Sequence, residues 1–276
     1  MMNDPKLSDI ISIVYQAGGL ISGVRGNEDA NLDIKEKEGT ANFVTKYDSM
    51  VQRFLEERLP AAVPGCSFMA EEDGQSEVSD HSGWQFVIDP IDGTTNFVVG
   101  FMLSAICVGL AKDGVPVMGV VYNPFRDEMF YAERGKGAFL NGKPIHVREG
   151  GLSAGVIIMG GAPYNPERRD FTYDCYKAVV GRVMDLHVLG TAALGMCYTA
   201  CGRAIAYASP GLAPWDYTAA SVITEEAGGI CTDYFGGPLV LKKGCSCLCG
   251  GAQSHKEYLE LVASVIEKHN WKGYVK

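Results

Sequence analysis

The segment 86–100, FVIDPIDGTTNFVVG, constrains the fold more than any other part of this chain. It places Asp89 and Asp92 inside an apolar run, and neither lysine nor arginine occurs between Trp84 and Lys112. Burying a carboxylate without a partner is energetically costly. The fold must therefore bring positive charge to this segment from distant sequence or from outside the chain.

The residues around the two aspartates suit a cation and an anion together. Pro90 fixes its own φ and favours an extended conformation at Asp89, so a stiff turn holds the carboxylates. Gly93 permits close backbone approach, and residues 94–96 (TTN) are good helix caps whose N–H groups can converge on an anion. This combination is typical of phosphoryl transfer. The alternative is an Asp-Pro turn before a capped helix.

Composition excludes several classes of protein. With 276 residues, of which 47% are hydrophobic, the chain can bury a large core. The net charge of -9 and the pI near 5.1 argue against nucleic acid or an anionic membrane as a partner. The first residues lack a signal peptide, and no apolar window is long enough to span a bilayer, so we expect a soluble, cytoplasmic protein. The odd number of cysteines favours reduced thiols.

Hydrophobic periodicity predicts an α/β protein made of two tightly packed halves of one domain, residues 1–150 and 151–276. In the first half, helices are expected at 7–21 and around 50–59, the second closed by Pro60 and Pro64, and 27–37 is expected to form a surface loop or short strand. Strands at 84–88, 103–110, 115–122 and 128–132 predict an antiparallel meander. In the second half, the pattern alternates between helices at 167–180, 191–201, 216–227 and 254–268 and strands at 204–208, 229–232 and 245–249.

Two further acidic groups stand at the ends of apolar stretches. Glu71, Glu72 and Asp73 follow the apolar residues 68–70, and Asp216 follows Pro214-Trp215 at the start of an amphipathic helix. Alone, the first group predicts a solvated turn and the second a helix cap. Open α/β sheets, however, expose functional residues where strands end.

Three motifs resemble the inositol monophosphatase family of Mg-dependent, lithium-sensitive phosphatases. Residues 84–100 resemble its W-x-x-D-P-I-D-G-T-x-N-F signature, 70–72 (AEE) its G-E-E element and 214–220 (PWDYTAA) its W-D-x-A-A-G element. They occur in the family's order and spacing, so the similarity covers nearly the whole chain. The resemblance implies a layered αβαβα sandwich, the sugar-phosphatase fold of this family, and a homodimer.

The resemblance also implies two or three Mg2+ ions as cofactors. Glu71, Asp89 and the backbone carbonyl of Ile91 would hold one ion, and Asp89, Asp92 and Asp216 would hold a second. Ions at these positions would supply the positive charge that the apolar segment lacks and would leave room for a phosphate between them.

Catalytic roles follow from the same resemblance. Residues 42–48, NFVTKYD, resemble the family's N-x-V-T-x-x-D element, so Asp48 would accept a hydrogen bond from Thr94. Together these two residues would orient and deprotonate the attacking water. Without the resemblance, Asp48 could be a simple helix cap. The N–H groups of Gly93, Thr94 and Thr95 would bind phosphate oxygens.

Substrate contacts are expected at Gly190, Thr191 and Ala192, which resemble the family's G-T-A-A segment. A helix start packed with small residues is also expected there, and the two interpretations are compatible. Ser209 is a departure, because inositol-specific members carry a glutamate at this position, seven residues before the last aspartate. We therefore predict a Mg-dependent phosphomonoesterase with inositol 1-phosphate as its leading substrate. The related alternatives are fructose-1,6-bisphosphatase, histidinol-phosphate phosphatase and 3'-phosphonucleotide phosphatase, and the alternative of a different class is a non-catalytic, metal-binding regulatory protein.

Other metal sites are disfavoured. Cys245, Cys247 and Cys249 alternate as residues of one strand do, which places neighbouring thiols ~6.5 to 7 Å apart, too far for all three to share one zinc. We expect a buried strand there. The five histidines lack the spacing of zinc ligands, and 89–93 lacks the ligand pattern of a calcium loop.

Overall fold

A computed structural model describes residues 4–24, 32–36, 43–73, 81–161, 166–242 and 244–273. The first elements are α1 (Leu7–Gly18), a short antiparallel pair formed by β1 (Lys35–Glu36) and β2 (Phe43–Val44), and α2 (Lys46–Ala62). The expectation for 27–37 falls partly outside the described residues, and β1 is the part of it that is described. Val14 of α1 and Leu55 of α2 are fully buried in one apolar core.

Pro60 does not close the second helix, contrary to the sequence prediction. It lies inside α2, which continues to Ala62. A proline in the last turn of a helix costs only one intrahelical hydrogen bond, and the N–H of Val63 still bonds to the Leu59 carbonyl at 3.0 Å.

A seven-stranded sheet carries the acidic motifs. Its strands are β3 (Ser67–Ala70), β4 (Trp84–Asp92), β5 (Ala105–Lys112), β6 (Val115–Asn123), β7 (Glu128–Glu133), β8 (Ala138–Leu140) and β9 (Lys143–Pro144), and they lie side by side in chain order. All neighbours are antiparallel except β3 and β4, so the predicted meander is confirmed. The parallel pair brings two strand ends to one edge, where Ala70 lies beside Ile88.

A five-stranded sheet and four helices complete the fold. The strands are β10 (Ile157–Met159), β11 (Leu186–His187), β12 (Ala206–Leu212), β13 (Ile230–Thr232) and β14 (Cys245–Gly250), in the order β11-β10-β12-β14-β13. The helices are α4 (Pro166–Val179), α5 (Ala192–Ala200), α6 (Pro214–Glu226) and α7 (Ala252–His269), and the short helix α3 (Thr94–Val98) follows β4. The cysteines at 245, 247 and 249 lie on β14, as expected for a strand.

The layers alternate as αβαβα. α1 and α2 cover one face of the large sheet, whereas Leu194 of α5 and Val222 of α6 share a core with Cys107 of the large sheet and Cys247 of the small one. α4 and α7 cover the outer face of the small sheet. The predicted fold class is therefore confirmed. No helix in the described parts of the chain is long and apolar enough to cross a membrane.

Helix α6 packs directly on the backbone of the large sheet. A Cβ atom added to Gly119 of β6 would lie 2.1 Å from the carbonyl oxygen of Ala219, so only glycine allows this approach. Helix α6 begins two residues earlier than predicted, with Pro214 in its first turn, where the missing N–H of proline costs nothing. Asp216 consequently occupies the third helical position.

Candidate metal and phosphate site

A bulge at the end of β4 turns two buried carboxylates to the same side of the sheet. Asp89 lies opposite Cys107 and Asp92 opposite Ala105, so β4 contains one more residue than β5 between these two pairs. In a regular strand, residues three apart would point to opposite faces. Asp89 is 2% exposed and Asp92 is 6% exposed, and Asp89 Oδ1 accepts a hydrogen bond from the Ile91 N–H at 3.0 Å.

The N-terminus of α5 holds Asp92 from the other half of the chain. The Thr191 hydroxyl and the Ala193 N–H both donate to Asp92 Oδ2, the latter at 2.8 Å, and the Ala192 N–H donates to Oδ1 at 3.1 Å. Burial raises the pKa of Asp92 to about 6, although these three hydrogen bonds act in the opposite direction. Thr191 and Ala192 thus contact a predicted metal ligand, and their predicted contact with substrate stays a prediction.

Asp48 is a helix-capping residue that uses only one of its two carboxylate oxygens for capping. At the third position of α2, its Oδ2 accepts hydrogen bonds from the N–H and the hydroxyl of Thr45 at 2.7 and 2.6 Å. Its Oδ1 is buried and has no hydrogen-bond partner in the described structure. The pKa of Asp48 is raised to about 6, chiefly by burial and to a smaller extent by the nearby charges of Glu72 and Glu71, while the two Thr45 hydrogen bonds act in the opposite direction. Capping therefore leaves one carboxylate oxygen available for chemistry.

The predicted carboxylates lie close together around Asp89. Burial holds the pKa of Asp89 well above its usual range, and the charges of Glu71, Asp92, Asp216 and Asp48 each raise it further. Glu71 begins the 3-10 turn Glu71–Asp73, directly after β3, and Asp216 reaches the same place from the first turn of α6. The structure thus brings together acids from four separate segments of the chain.

This donor set suits a hard divalent cation. Carboxylates held close together are stabilised when a cation neutralises their like charges, and oxygen ligands are those that Mg2+ prefers. In the described ranges, however, no three His, Cys, Asp or Glu side chains already converge as a group that could hold a metal ion. Each aspartate of the cluster has at least one oxygen bonded to a protein donor, as Asp216 Oδ2 is to the Ala213 N–H at 2.8 Å. The donors are therefore right in kind, and their role as metal ligands stays a prediction that requires side-chain rotation.

Gly93 forms the other side of the site in a conformation that favours glycine. Its φ is +86°, and an added Cβ would lie 3.0 Å from the Leu103 carbonyl oxygen and 3.2 Å from that of Gly190. The Asn96 side chain donates to the carbonyls of both Leu103 and Leu189, at 2.8 and 2.7 Å. These contacts fix the start of α3 between two loops. Thr94 is half-buried there, whereas Thr95 and Gly190 are exposed.

The expected hydrogen bond between Thr94 and Asp48 is not formed. The Thr94 hydroxyl donates instead to the Ile91 carbonyl at 3.1 Å. A hydroxyl in the first turn of a helix readily reaches a carbonyl three residues back, and the capping box has already engaged Asp48 Oδ2. The carbonyl that accepts this bond is the one that the family resemblance assigns to a metal.

Ser209 is placed differently from an open substrate contact. It lies on β12 just before a shift in register, is fully buried, and its hydroxyl has no hydrogen-bond partner within the described ranges. An added Cβ on Gly160 would lie 2.9 Å from this hydroxyl, so the two residues are close neighbours. A contact between Ser209 and substrate stays a prediction.

Sequence reasoning missed Gln52. This residue is buried on α2, one helical turn after Asp48, and its Oε1 accepts a hydrogen bond from the Glu72 N–H at 3.1 Å. The signal was an uncharged polar residue beside the apolar positions Val51 and Leu55. It became interpretable only when the fold placed α2 beside the acidic turn.

Comparison with known proteins identifies the fold and then the family. The chain shares its fold with extragenic suppressor protein suhB from Bartonella henselae (TM-score 0.84, 31% identity, 93% of this chain and 97% of that one). It also matches SaIMPase-II with bound inositol monophosphate (TM-score 0.79, 26% identity, 96% and 99% covered), a protein also crystallised with 2'AMP (TM-score 0.79, 27% identity, 95% and 97% covered).

The model of the inositol monophosphatase family matches residues 4–270. Inositol-1-monophosphatase from Rhizobium meliloti is 34% identical over 263 residues, covering 95% of this chain and 97% of the relative. Nus factor SuhB from Pasteurella multocida is 33% identical over 243 residues, covering 87% and 90%. The chain belongs to the inositol monophosphatase family, a family of phosphatases, as the sequence motifs predict.

Proposed function

We propose that this protein is a Mg2+-dependent phosphomonoesterase that hydrolyses a small phosphorylated polyol, with inositol 1-phosphate as the leading substrate. The observation that carries the proposal is that Glu71, Asp92, Asp216 and Asp48 lie near enough to buried Asp89 for the charge of each to act on its carboxyl group. The family is generally Mg-dependent, which agrees with the chemistry of these donors.

In this proposal, Glu71, Asp89 and the Ile91 carbonyl hold one ion, and Asp89, Asp92 and Asp216 hold a second. Bound Mg2+ would neutralise the negative charge of the phosphate and lower the pKa of the attacking water. Asp92 would keep part of its contact with the N-terminus of α5 while it binds an ion. Two protein donors bond to one of its oxygens and a third donor bonds to the other, so a metal bond at one oxygen leaves hydrogen bonding at the other.

Asp48 would act as the general base. Its unpartnered Oδ1 can accept a proton from water, and a carboxyl whose pKa is about 6 is ionised at neutral pH yet more basic than an ordinary aspartate. Thr94 would help to orient the water after its hydroxyl rotates away from the Ile91 carbonyl.

The substrate would lie across the exposed rim of the site. The N–H groups of Gly93, Thr94 and Thr95 would bind phosphate oxygens, so that an acidic protein can bind an anion without an arginine cluster. The alcohol portion would face Gly190, Thr191, Ala192 and Ser209. Because Thr191 and Ala192 already bond to Asp92, binding of the alcohol there would be linked to the position of that carboxylate.

Several phosphate esters are alternative substrates to inositol 1-phosphate. Ligands bound to SaIMPase-II include both inositol monophosphate and 2'AMP, which supports small phosphate monoesters of more than one kind. Fructose-1,6-bisphosphate, histidinol phosphate and 3'-phosphonucleotides therefore stay in the test. A non-catalytic, metal-binding regulatory protein stays the alternative of a different class, since relatives named Nus factor SuhB are not named for a phosphatase activity.

The test is phosphate release by the purified protein from each of these esters, with and without Mg2+, beside an Asp92→Asn variant. Release that is fastest from inositol 1-phosphate and lost in the variant supports the proposal. Faster release from another ester keeps the mechanism and changes the substrate. If no ester is hydrolysed with any divalent cation, the regulatory alternative replaces the enzymatic one.

Lithium sensitivity and a homodimer belong to the same proposal. Lithium chloride added to the Mg2+-supported reaction should inhibit phosphate release, whereas sodium chloride at equal ionic strength should not. Light scattering should give twice the chain mass of 29.7 kDa.

A further inference from the structure

The structure assigns a positioning role to Gln52: we propose that its side-chain amide fixes the turn that carries Glu71 to the helix that carries Asp48, and so sets the affinity for Mg2+. The inference rests on the proposed function, because it assumes that Glu71 is a metal ligand. Gln52 itself touches neither the metal nor the substrate in this account.

The position of Gln52 and its two hydrogen bonds define the role. Gln52 is 4% exposed, and it follows Asp48 by four residues, so the two side chains lie on the same face of α2. Its Oε1 accepts a hydrogen bond from the backbone N–H of Glu72 at 3.1 Å, across 20 residues of chain. Its Nε2 donates to Glu56 Oε1 at 3.0 Å.

Only an amide can make both bonds. A carboxylate at position 52 could accept from the Glu72 N–H but could not donate to Glu56. An apolar side chain of equal length could do neither. The Glu56 bond also holds the amide in the orientation that presents oxygen, rather than nitrogen, to the Glu72 backbone.

The bonded N–H belongs to the residue directly after Glu71. Glu71 and Glu72 lie in the 3-10 turn that follows β3, a half-exposed segment among like charges. Like-charged carboxylates repel one another, so without an anchor this turn can move Glu71 away from Asp89. The Gln52 amide opposes that movement, and because it is uncharged it adds no negative charge to the cluster.

The test compares matched variants by calorimetric titration with MgCl2. Gln52→Met keeps the length and helix propensity of the side chain but removes both hydrogen bonds, and we expect Mg2+ affinity to fall about 10- to 100-fold, as for other residues that orient metal ligands.

Gln85→Met is the control for burial. Gln85 is also fully buried, its Oε1 lies 2.9 Å from His81 Nδ1, and it precedes Asp89 by four strand residues, about 13 Å. This variant also replaces a buried amide with an apolar side chain of similar length, and its Mg2+ affinity should stay equal to that of the wild type. Equal affinity in Gln52→Met and the wild type, or an equal fall in Gln85→Met, overturns the positioning role.

A measurement on the unmodified protein covers the case in which Gln52→Met does not fold. The Glu72 amide proton should exchange slowly in the wild type without Mg2+, because Gln52 already holds it, and rapid exchange overturns the proposal. Wild-type protein that binds no Mg2+ would refute the proposed function itself. Wild-type binding with an unaltered Gln52→Met variant would refute only the role of Gln52.

Discussion

The hydroxyl of Thr191 donates a hydrogen bond to Oδ2 of Asp92, two residues that are 99 positions apart in the sequence. Asp92 ends a strand of the large sheet, and Thr191 is the N-cap of α5, which lies between the two sheets. The predicted metal ligand and the predicted substrate segment are therefore joined by a direct hydrogen bond. A substitution that moves Thr191 should therefore also alter the position of Asp92.

Replacing Thr191 with valine tests this connection. Valine has the same shape but cannot accept the Leu194 N–H or donate to Asp92, so we expect about 1–2 kcal/mol of lost unfolding free energy. Mg2+ affinity should fall as well. Thr191→Ser retains the hydroxyl and should resemble the wild type in urea unfolding and in Mg2+ titration. Valine and serine variants that behave alike would exclude a role for this hydroxyl.

Asp48→Asn should separate catalysis from metal binding. The amide can still cap α2 but cannot take a proton from water, so kcat should fall roughly 10²- to 10⁴-fold, the usual contribution of a general base. Mg2+ affinity should change little, because Asp48 is not among the proposed ligands. Steady-state kinetics and Mg2+ titration on the same preparation check this. Unchanged kcat would remove Asp48 from the mechanism.

The stability of the metal-free protein should depend on Asp48 in a defined direction. Burial raises the pKa of Asp48 to about 6, so the folded state binds the proton more tightly than the unfolded state. Its favourable contribution is fully present below about pH 4 and is lost as the pH rises through about 6.

The asparagine variant does not ionise, so it should become more stable than the wild type as the pH rises. The difference should be near zero at about pH 4 and on the order of 2–3 kcal/mol at about pH 7.5. Urea unfolding in EDTA at several pH values gives the comparison. A difference that is constant with pH would show that Asp48 ionises as freely in the folded protein as in the unfolded one.

Gly93→Ala should be much more harmful than an alanine at another left-handed glycine. Gly65 has a similar φ of +77° but open space around it, so alanine there should cost about 1–2 kcal/mol from backbone strain alone. At Gly93 the added methyl group also meets two backbone carbonyls, of Leu103 and Gly190. We expect at least about 1 kcal/mol of additional destabilisation and loss of activity. Thermal unfolding of both variants measures the difference. Equal losses of unfolding free energy would contradict the crowding at Gly93.

Apolar spacing predicts many of the helices and strands because its signals are local and repeated, whereas the layered arrangement is implied by the family resemblance. The spacing of apolar residues indicates α1, α7 and the meander of the large sheet, with boundaries that differ by a few residues. The strands that it misses, such as β10 and β11, are two or three residues long and gain their stability from parallel neighbours far away in the chain.

The candidate site follows the same division. The motifs identify Glu71, Asp89, Asp92 and Asp216 as candidates, and the fold does bring these acids together. The hydrogen bonds around these acids could not be predicted from the sequence. Bonds such as the one that Gln52 accepts from the Glu72 N–H depend on how separate elements pack. The Thr94 hydroxyl illustrates this limit, since a nearby carbonyl competes successfully with Asp48.

The most direct test of the central claim is a calorimetric titration of the metal-free protein with MgCl2 at about pH 7.5, beside the variant Asp89→Asn. Asp89 is common to both proposed ion positions, so we predict saturable binding to the wild type and its loss in a variant that remains folded. Saturable binding that survives in Asp89→Asn, or none in the wild type, would contradict the account that these carboxylates form a Mg2+ site.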